Sequence, residues 1–251
     1  MIDPSVIEDE DLKNTLSLVD EEILGNCDLH TPETLNTNHM LHVSTLKQDS
    51  IPPYISRRMG KTEDNTLPRV YVCRTLVQCL MGYAAFLKDT LMHRTEDDSG
   101  FKGGYHIYLL PFDYTLKPND KLLFDASLIH EHWLIKYNED TIEYKPDALA
   151  EMIVTSYLLK PHKDPNETTM VIQVILHNPS QYNIHLDDDL TIGHGYYSFQ
   201  ITTTNPNIEA LPKKYTASSV TEIPEDIYMK RKNTHASLEH ISINKPKYLS
   251  W

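Results

Sequence analysis

Residues 67–80 constrain the fold more than any other part of this chain. The stretch reads LPRVYVCRTLVQCL, in which apolar residues first alternate and then recur with a helical period. Pro68 and the β-branched residues after it predict a strand over residues 69–73. Thr75 is a typical N-cap residue and predicts a helix from there to about Met92 with one apolar face. We therefore expect a strand that passes directly into an amphipathic helix.

The bulk composition predicts a soluble intracellular protein. The 251 residues suffice for one large domain or two small ones. Three cysteines, Cys27, Cys73 and Cys79, include no CxxC pair, which argues for a reducing compartment and against a disulfide framework or a zinc ribbon. No apolar run approaches the length of a membrane span, and no glycine-rich phosphate-binding motif occurs. We therefore expect a cytoplasmic protein, without membrane association, that has neither a P-loop nor a Rossmann-type dinucleotide fold.

Negative charge is concentrated at the start of the chain. The net charge is −13, and the first 38 residues hold ten acids against the single base Lys13. We interpret residues 1–38 as an acidic helical N-terminal arm that ends in a linker over residues 28–38. The charge indicates either a solvated face or a surface that docks a basic protein partner. An acidic chain repels phosphate, which argues against direct binding of duplex DNA.

The rest of the sequence predicts an α+β protein with two further parts. Residues 39–145 would form a core with a split mixed or antiparallel β-sheet and the amphipathic helix, and residues 146–251 a β-rich C-terminal extension with an irregular tail. Within the extension, residues 150–159 and 170–177 flank a polar turn and predict a long hairpin with an apolar face. Other strands are predicted at 40–45, 105–110, 122–127, 130–137 and 196–203.

Several short motifs follow one another in a fixed order between residues 39 and 137. They are His42-Val43-Ser44-Thr45, Pro52-Pro53, Pro68-Arg69-Val70-Tyr71-Val72, Cys79-Leu80, Tyr105-His106-Ile107-Tyr108 and Glu131-His132-Trp133. In this order they resemble a group of small bacterial and phage proteins with an ADP-ribosyltransferase-like fold. The resemblance covers about two-fifths of the chain and implies a phage-type protein in the host-cell cytoplasm.

The resemblance implies a cleft that binds NAD and an activity that transfers ADP-ribose from it to an acceptor. His42 would hydrogen-bond the nicotinamide ribose. Glu131 would orient the ribose 2′-hydroxyl and stabilise the positive charge that develops at the anomeric carbon, because a carboxylate fixed in a cleft is worth more than one in water. Arg69 would pair with the pyrophosphate through its fork of donors.

Further cofactor contacts implied by the resemblance come from the same strands. Ser44 and Thr45 would line the strand edge that carries His42, and Tyr71 would stand in for the stacked tyrosine pair of NAD-cleaving members. This chain departs from the pattern at two points, since that pair is not evident and histidines flank Glu131 on both sides. Whether the chain is an enzyme therefore stays open.

Other interpretations of the same residues remain open beside the resemblance. A non-catalytic viral or phage interaction or assembly protein would self-associate through its apolar hairpin and dock a partner through the acidic arm. In that case His42, Arg69 and Glu131 would be structural or solvent-facing residues. His130 and His132 would face one side of a strand, an arrangement that suits two metal ligands, but the sequence places no further ligand and predicts no metal site.

Overall fold

The computed structural model describes residues 2, 7–55, 64, 66–82, 101–123, 126–135, 143–159, 169–204, 214–217 and 220–242. The helices are α1 (Glu10–Ser17), α2 (Glu21–Leu24), α3 (Pro32–Leu35), α4 (described over 76–82), α5 (Ala126–Ile129) and α6 (Glu225–Ser242). The strands are β1 (Cys27–His30), β2 (His39–Ser44), β3 (Val70–Val72), β4 (Phe101–Pro111), β5 (Thr115–Pro118), β6 (His132–Leu134), β7 (Ala148–Leu159), β8 (Thr169–Asn178), β9 (Ile184–His185), β10 (Thr191–Ile192), β11 (Gly195–Thr204), β12 (Lys214–Ala217) and β13 (Thr221–Glu222). These elements confirm the predicted α+β class.

Two sheets hold most of the strands, and every ladder described in them is antiparallel. The smaller sheet has the order β1-β5-β6-β3, and the larger has the order β12-β11-β8-β7-β4-β2 with β13 paired to β11. An isolated bridge between Leu41 and Cys73 joins β2 to β3, so the two sheets meet there. The strands that carry the sequence motifs, β6, β3 and β2, therefore lie side by side.

The larger sheet runs across the predicted boundary between residues 145 and 146. In this sheet β4 pairs with β7, with Phe101 opposite Ser156 at one end and Leu109 opposite Ala148 at the other. Strand β7 pairs in turn with β8, and β8 pairs with β11. The long hairpin predicted from its apolar alternation is present as β7 and β8. The residues that the sequence assigned to a C-terminal extension are therefore built into one sheet with the core. The expected irregular tail is wrong over Glu225–Ser242, which form the helix α6.

One predicted strand is wrong, and another is shorter than expected. Residues 122–123 are in a turn, because the backbone N–H groups of Leu122 and Leu123 both donate to Asn119 O, and α5 begins at Ala126. The strand expected over 130–137 is β6, with three residues, and its predicted end at 136–137 lies outside the described residues. Apolar runs this short do not distinguish a strand from a helical turn by periodicity.

The N-terminal segment is part of the body of the protein. The sequence suggested a linker over residues 28–38, but part of it belongs to β1, which pairs with β5. Cys27 is opposite Pro118 and His30 is opposite Thr115, and α3 follows. Apolar residues of α1, α2 and the turns beside them pack with the smaller sheet in one buried cluster: Leu12, Leu16, Val19, Ile23, Leu24, Cys27, Leu67, Leu116, Trp133 and Ile135. The acids of this segment are consequently held on a fixed surface.

The strand-to-helix switch predicted after residue 73 is present. Thr75 caps α4 in a reciprocal arrangement, because Gln78 N donates to Thr75 Oγ1 at 3.3 Å and Thr75 N donates to Gln78 Oε1 at 3.2 Å. Leu76 and Leu80 are fully buried in the core beneath the larger sheet. The rest of the predicted helix, to Met92, lies outside the described residues. Among the helices described, none is long and apolar enough to cross a bilayer.

Candidate functional site

The residues singled out by the sequence motifs converge on three neighbouring strands. Tyr71 of β3 pairs with Trp133 of β6 on one side, and Cys73 just past β3 pairs with Leu41 of β2 on the other. The strands that carry the motifs are thus adjacent, although the motifs are far apart in the sequence. The contacts of each side chain decide what this neighbourhood can do.

His42 completes the outer edge of β3. The ladder between β2 and β3 is limited to the bridge at Leu41, and Tyr54 bridges the opposite end of β3. Between these two bridges, Nδ1 of His42 lies 2.8 Å from the carbonyl oxygen of Tyr71. The imidazole therefore supplies a hydrogen bond that a neighbouring strand would otherwise make.

The bond to Tyr71 fixes the protonation state of His42. A carbonyl oxygen only accepts, so Nδ1 carries the hydrogen and Nε2 is left as an acceptor. Burial lowers the pKa of His42, and the bond to Tyr71 opposes this only in part. The ring is therefore neutral near pH 7, and with 7 % of the residue exposed it has a structural role that does not require a ligand.

Arg69 is enclosed by its own neighbours. Its Nη1 donates to Asp64 Oδ2 at 2.6 Å and to Leu67 O at 3.1 Å, and its Nη2 donates to Asp64 O at 2.8 Å. The guanidinium carbon lies 3.9 Å from the centre of the Trp133 ring and 5.1 Å from that of Tyr71. Arg69 is 0 % exposed, so a pyrophosphate would reach this side chain only after the ion pair with Asp64 had opened.

Glu131 and His42 lie on opposite faces of the strand layer. Leu41 pairs with Cys73 and therefore shares its face of the layer. Tyr71 is two residues before Cys73 in the same extended segment, so it lies on that face too. Trp133 pairs with Tyr71, and its Nε1 donates to Glu131 Oε1 at 2.8 Å, which places Glu131 on that face as well. His42 follows Leu41 and therefore points to the other face.

The remaining predicted cofactor residues are divided in the same way. Ser44 shares the face of His42, and its Oγ accepts from Leu46 N at 3.1 Å; Thr45 is exposed just beyond the end of β2. Tyr71 does have a tyrosine neighbour, Tyr54, whose ring centre is 6.1 Å away, but the two rings meet edge to face and are not stacked. The arrangement therefore fits NAD only in part. Glu131, Tyr71 and the enclosed Arg69 lie together around Trp133, whereas His42, Ser44 and Thr45 lie elsewhere.

The two histidines beside Glu131 do not form the pair that a strand would give. His130 has a φ of 49°, in the left-handed region, and lies before β6 begins, while His132 is buried within β6. The alternation expected of a strand therefore does not apply to His130. Within the part of the chain that the structure describes, no group of three histidine, cysteine or acidic side chains is arranged to hold a metal ion.

A cavity of about 620 Å³ opens between α1, residues 111–114, Ile135 just after β6, and residues 143–145. Three exposed carboxylates line it, those of Asp11, Asp113 and Glu143, together with the rings of Tyr114 and Tyr144. Ser50 Oγ donates to Glu143 Oε2, and Lys145 is the one basic residue in the lining described. We call this feature the acidic aromatic cavity. The sequence did not reveal it, because its lining residues come from four separate segments.

The electrostatics of the acidic aromatic cavity favour a cation. Burial raises the pKa of Tyr114, a hydrogen bond with Thr15 lowers it, and the charges of Asp113, Asp9 and Asp11 raise it further. Negative charge that hinders loss of a phenol proton also attracts a positive group. Tyrosine faces add to this attraction, since their ring quadrupole is negative above the plane.

A polar row across the larger sheet also escaped sequence reasoning. It consists of the cross-strand neighbours Ser44, His106, Glu151, His177 and Tyr196. Lys232 of α6 donates to Glu151 and holds the pKa of that carboxyl below its usual value, while the rings of Tyr196 and His177 stack with centres 4.3 Å apart. The row therefore anchors α6 to the sheet. Only the register of five strands brings it together, and no local pattern encodes that register.

Comparisons of this chain with protein-family profiles, with curated proteins and with solved structures found no match. Its side chains and their contacts are therefore the basis for a functional assignment.

Proposed function

We propose that this chain is a non-catalytic interaction protein that docks a basic segment of a protein partner. The observation that carries the proposal is the acidic aromatic cavity, which combines three carboxylates and two tyrosine rings in a space of about 620 Å³. Lysine and arginine side chains match such a lining, because their charge pairs with carboxylates and their cationic heads pack over tyrosine faces.

The surface around the cavity supports the same partner chemistry. Nine exposed acids surround Lys13 in the described part of residues 1–38: Glu8, Asp9, Glu10, Asp11, Asp20, Glu21, Glu22, Asp28 and Glu33. Because α1 packs on the smaller sheet, these charges are held in place before a partner arrives. A fixed acidic field steers a basic partner towards the cavity and accelerates association at low salt.

The contacts of the motif residues also favour binding over catalysis. His42 serves the edge of β3, Arg69 is paired within the protein, and Glu131 is bonded to a neighbouring indole. Each of these side chains has a structural partner that explains its position. A catalyst would have to release at least two of them.

A fluorescent oligo-arginine peptide tests the docking proposal by fluorescence anisotropy. We expect saturable binding that weakens as salt rises, and a loss of about five- to tenfold in affinity for D113N. D189N is the matched control, because Asp189 is exposed and outside the cavity, so that both variants have the same net charge. Equal affinities of D113N and D189N, or no binding at low salt, would contradict the proposal.

A second candidate function is that of an ADP-ribosyltransferase-like protein. The adjacency of β6, β3 and β2 favours it, because β3 carries Tyr71 and lies between β2, which carries His42, and β6, which begins directly after Glu131. In this proposal Glu131 and Tyr71 would contact NAD, and His42 would position β3 through its bond to the Tyr71 carbonyl. When bound, NAD would supply the ADP-ribosyl group and the nicotinamide leaving group.

Calorimetry with NAD tests this second candidate. We expect a saturable heat with the natural chain and with E131Q, and loss of any nicotinamide release in E131Q. Glutamine retains an oxygen that accepts from Trp133 Nε1, so the variant removes the charge while keeping the contact. A flat titration at millimolar NAD would rule this candidate out and leave the docking proposal intact.

A further inference from the structure

Basic side chains collect on one face of the smaller sheet, opposite the face that carries Trp133. Lys117 of β5 pairs with Asp28 of β1. On the other side of β5 lies β6, with Leu116 opposite Trp133. Because the two strands are antiparallel, the residue of β6 beside Lys117 is His132. Neither Lys117 nor His132 is in the lining of the acidic aromatic cavity.

Contacts within this group draw four basic residues together. Lys117 Nζ lies 3.4 Å from Nδ1 of His130, and the rings of His30 and His132 meet edge to face with centres 5.4 Å apart. An ammonium group can only donate, so Nδ1 of His130 is the acceptor and the hydrogen of that ring is on Nε2. We call Lys117, His30, His130 and His132 the basic cluster.

Positive charge in the basic cluster is poorly compensated. Asp28 is exposed at its edge, and the nearby Arg74 is paired with Asp188. Burial lowers the pKa of His132 to about 3, and its basic neighbours, among them His30 and Lys117, contribute to the decrease. Burial and the charge of Lys117 likewise lower the pKa of His130. Burial first, and neighbouring positive charge second, thus keep these histidines neutral, and an anion would offset the second effect.

His132 gives an independent sign of a missing ligand. Its side chain belongs to a residue only 3 % exposed, yet Nδ1 is buried with no hydrogen-bond partner among the residues that the structure describes. A buried polar atom without a partner is costly, and most such atoms in proteins are satisfied. An anion oxygen in the basic cluster would give this nitrogen an acceptor.

We propose that the basic cluster binds a phosphate-type oxyanion. A tetrahedral oxyanion accepts several hydrogen bonds at once, and the Lys117 ammonium and the imidazole N–H groups of the basic cluster are donors suited to it. A metal cation is disfavoured there by the Lys117 ammonium. Free phosphate, pyrophosphate and the diphosphate of a nucleotide share this chemistry. The inference does not depend on the docking of a basic partner, which uses a different surface and the opposite charge.

NMR titrations of the full chain with inorganic phosphate, pyrophosphate and ADP, each done separately, test the proposal. The signals followed are those of the histidine rings. We expect saturable shifts of the His30 and His130 signals with at least one of the three, and a rise of their apparent pKa in its presence. The compound that binds most tightly of the three identifies the source of the anion. H30Q and H130N assign the signals, and asparagine tolerates the left-handed backbone at position 130.

Variants of two lysines distinguish a specific anion-binding site from non-specific electrostatic attraction of anions to the protein. K117A should weaken binding by about tenfold, whereas K121A, which removes the same charge from an exposed position four residues later, should stay within about twofold of the natural chain. Shifts that rise linearly without saturation in all three titrations would overturn the proposal. So would equal affinities of K117A and K121A, provided that both variants retain the amide spectrum of the folded protein.

Discussion

Replacement of Asp64 by alanine is expected to lower the free energy of unfolding by about 3–5 kcal/mol, the usual cost of leaving a buried charge without its partner. Arg69 is completely buried, and its Nη1 donates to the Asp64 carboxylate. The other recorded acceptors of the guanidinium are the backbone carbonyl oxygens of Asp64 and Leu67, which carry no net charge, and Nε has no partner among the described residues. The Asp64 carboxylate also accepts from Thr66 and Leu67, and these bonds would be lost as well.

Urea unfolding of three variants separates the charge from the other contacts of Asp64. D64N keeps oxygen acceptors and should lose less stability than D64A. The double variant D64A/R69M should recover part of the loss, because an apolar side chain of similar length can occupy the space over Trp133 without an unpaired charge. If D64A unfolds at the same urea concentration as the natural chain, or if R69M adds a further loss to D64A, the ion pair does not stabilise the fold.

The pH dependence of stability gives a second measurement on the same carboxylate. Burial alone raises the pKa of Asp64, but hydrogen bonds from Thr66, Leu67 and Arg69 outweigh it and keep the pKa below its usual value. A folded pKa below the unfolded one contributes stability that is complete above about pH 4 and is lost as the pH falls further. D64N should therefore show a shallower loss of stability in acid than the natural chain.

Replacement of Leu16 by alanine should cost about 2–5 kcal/mol of unfolding free energy. Leu16 is fully buried in the cluster beneath α1, where it packs with Trp133 and Leu116. Leu18, two residues later, is 65 % exposed and provides a matched control, since L18A should change the stability by less than about 0.5 kcal/mol. Chemical denaturation of both variants measures the difference.

The comparison of L16A with L18A also tests whether the N-terminal segment is an arm or part of the core. If L16A and L18A are equally stable, α1 does not pack as described. Removal of residues 1–38 should be still more damaging than L16A, because it also strips β1 from β5. A truncated chain that unfolds as cooperatively as the full one would contradict the packing of β1.

Local patterns in the sequence were sufficient for elements whose stability is decided nearby. The apolar alternation of residues 150–159 and 170–177 predicted β7 and β8, because both strands bury a regular face. Thr75 marked the start of α4, since a cap acts through bonds only three residues away. The strand predicted at 40–45 is present as β2, which carries His42.

Long-range pairing was beyond the reach of these patterns. Residues 27–30 are polar enough to suggest a linker, yet β5 supplies a partner from far along the chain and makes them a strand. The faces on which His42 and Glu131 lie depend on the bridge at Leu41. The basic cluster and the row through Glu151 likewise depend on register across several strands, which one residue of slip would destroy.

The pairing of β1 with β5 has a consequence for how the protein is made. Cys27 leaves the ribosome long before its partner Pro118 is synthesised, a delay on the order of 5–20 s at ordinary translation rates of about 5–20 residues per second. During that time Leu16 and its apolar neighbours have no sheet to cover them. Chaperones that hold nascent chains should therefore bind the first thirty or so residues, and release should follow synthesis of β5 and β6.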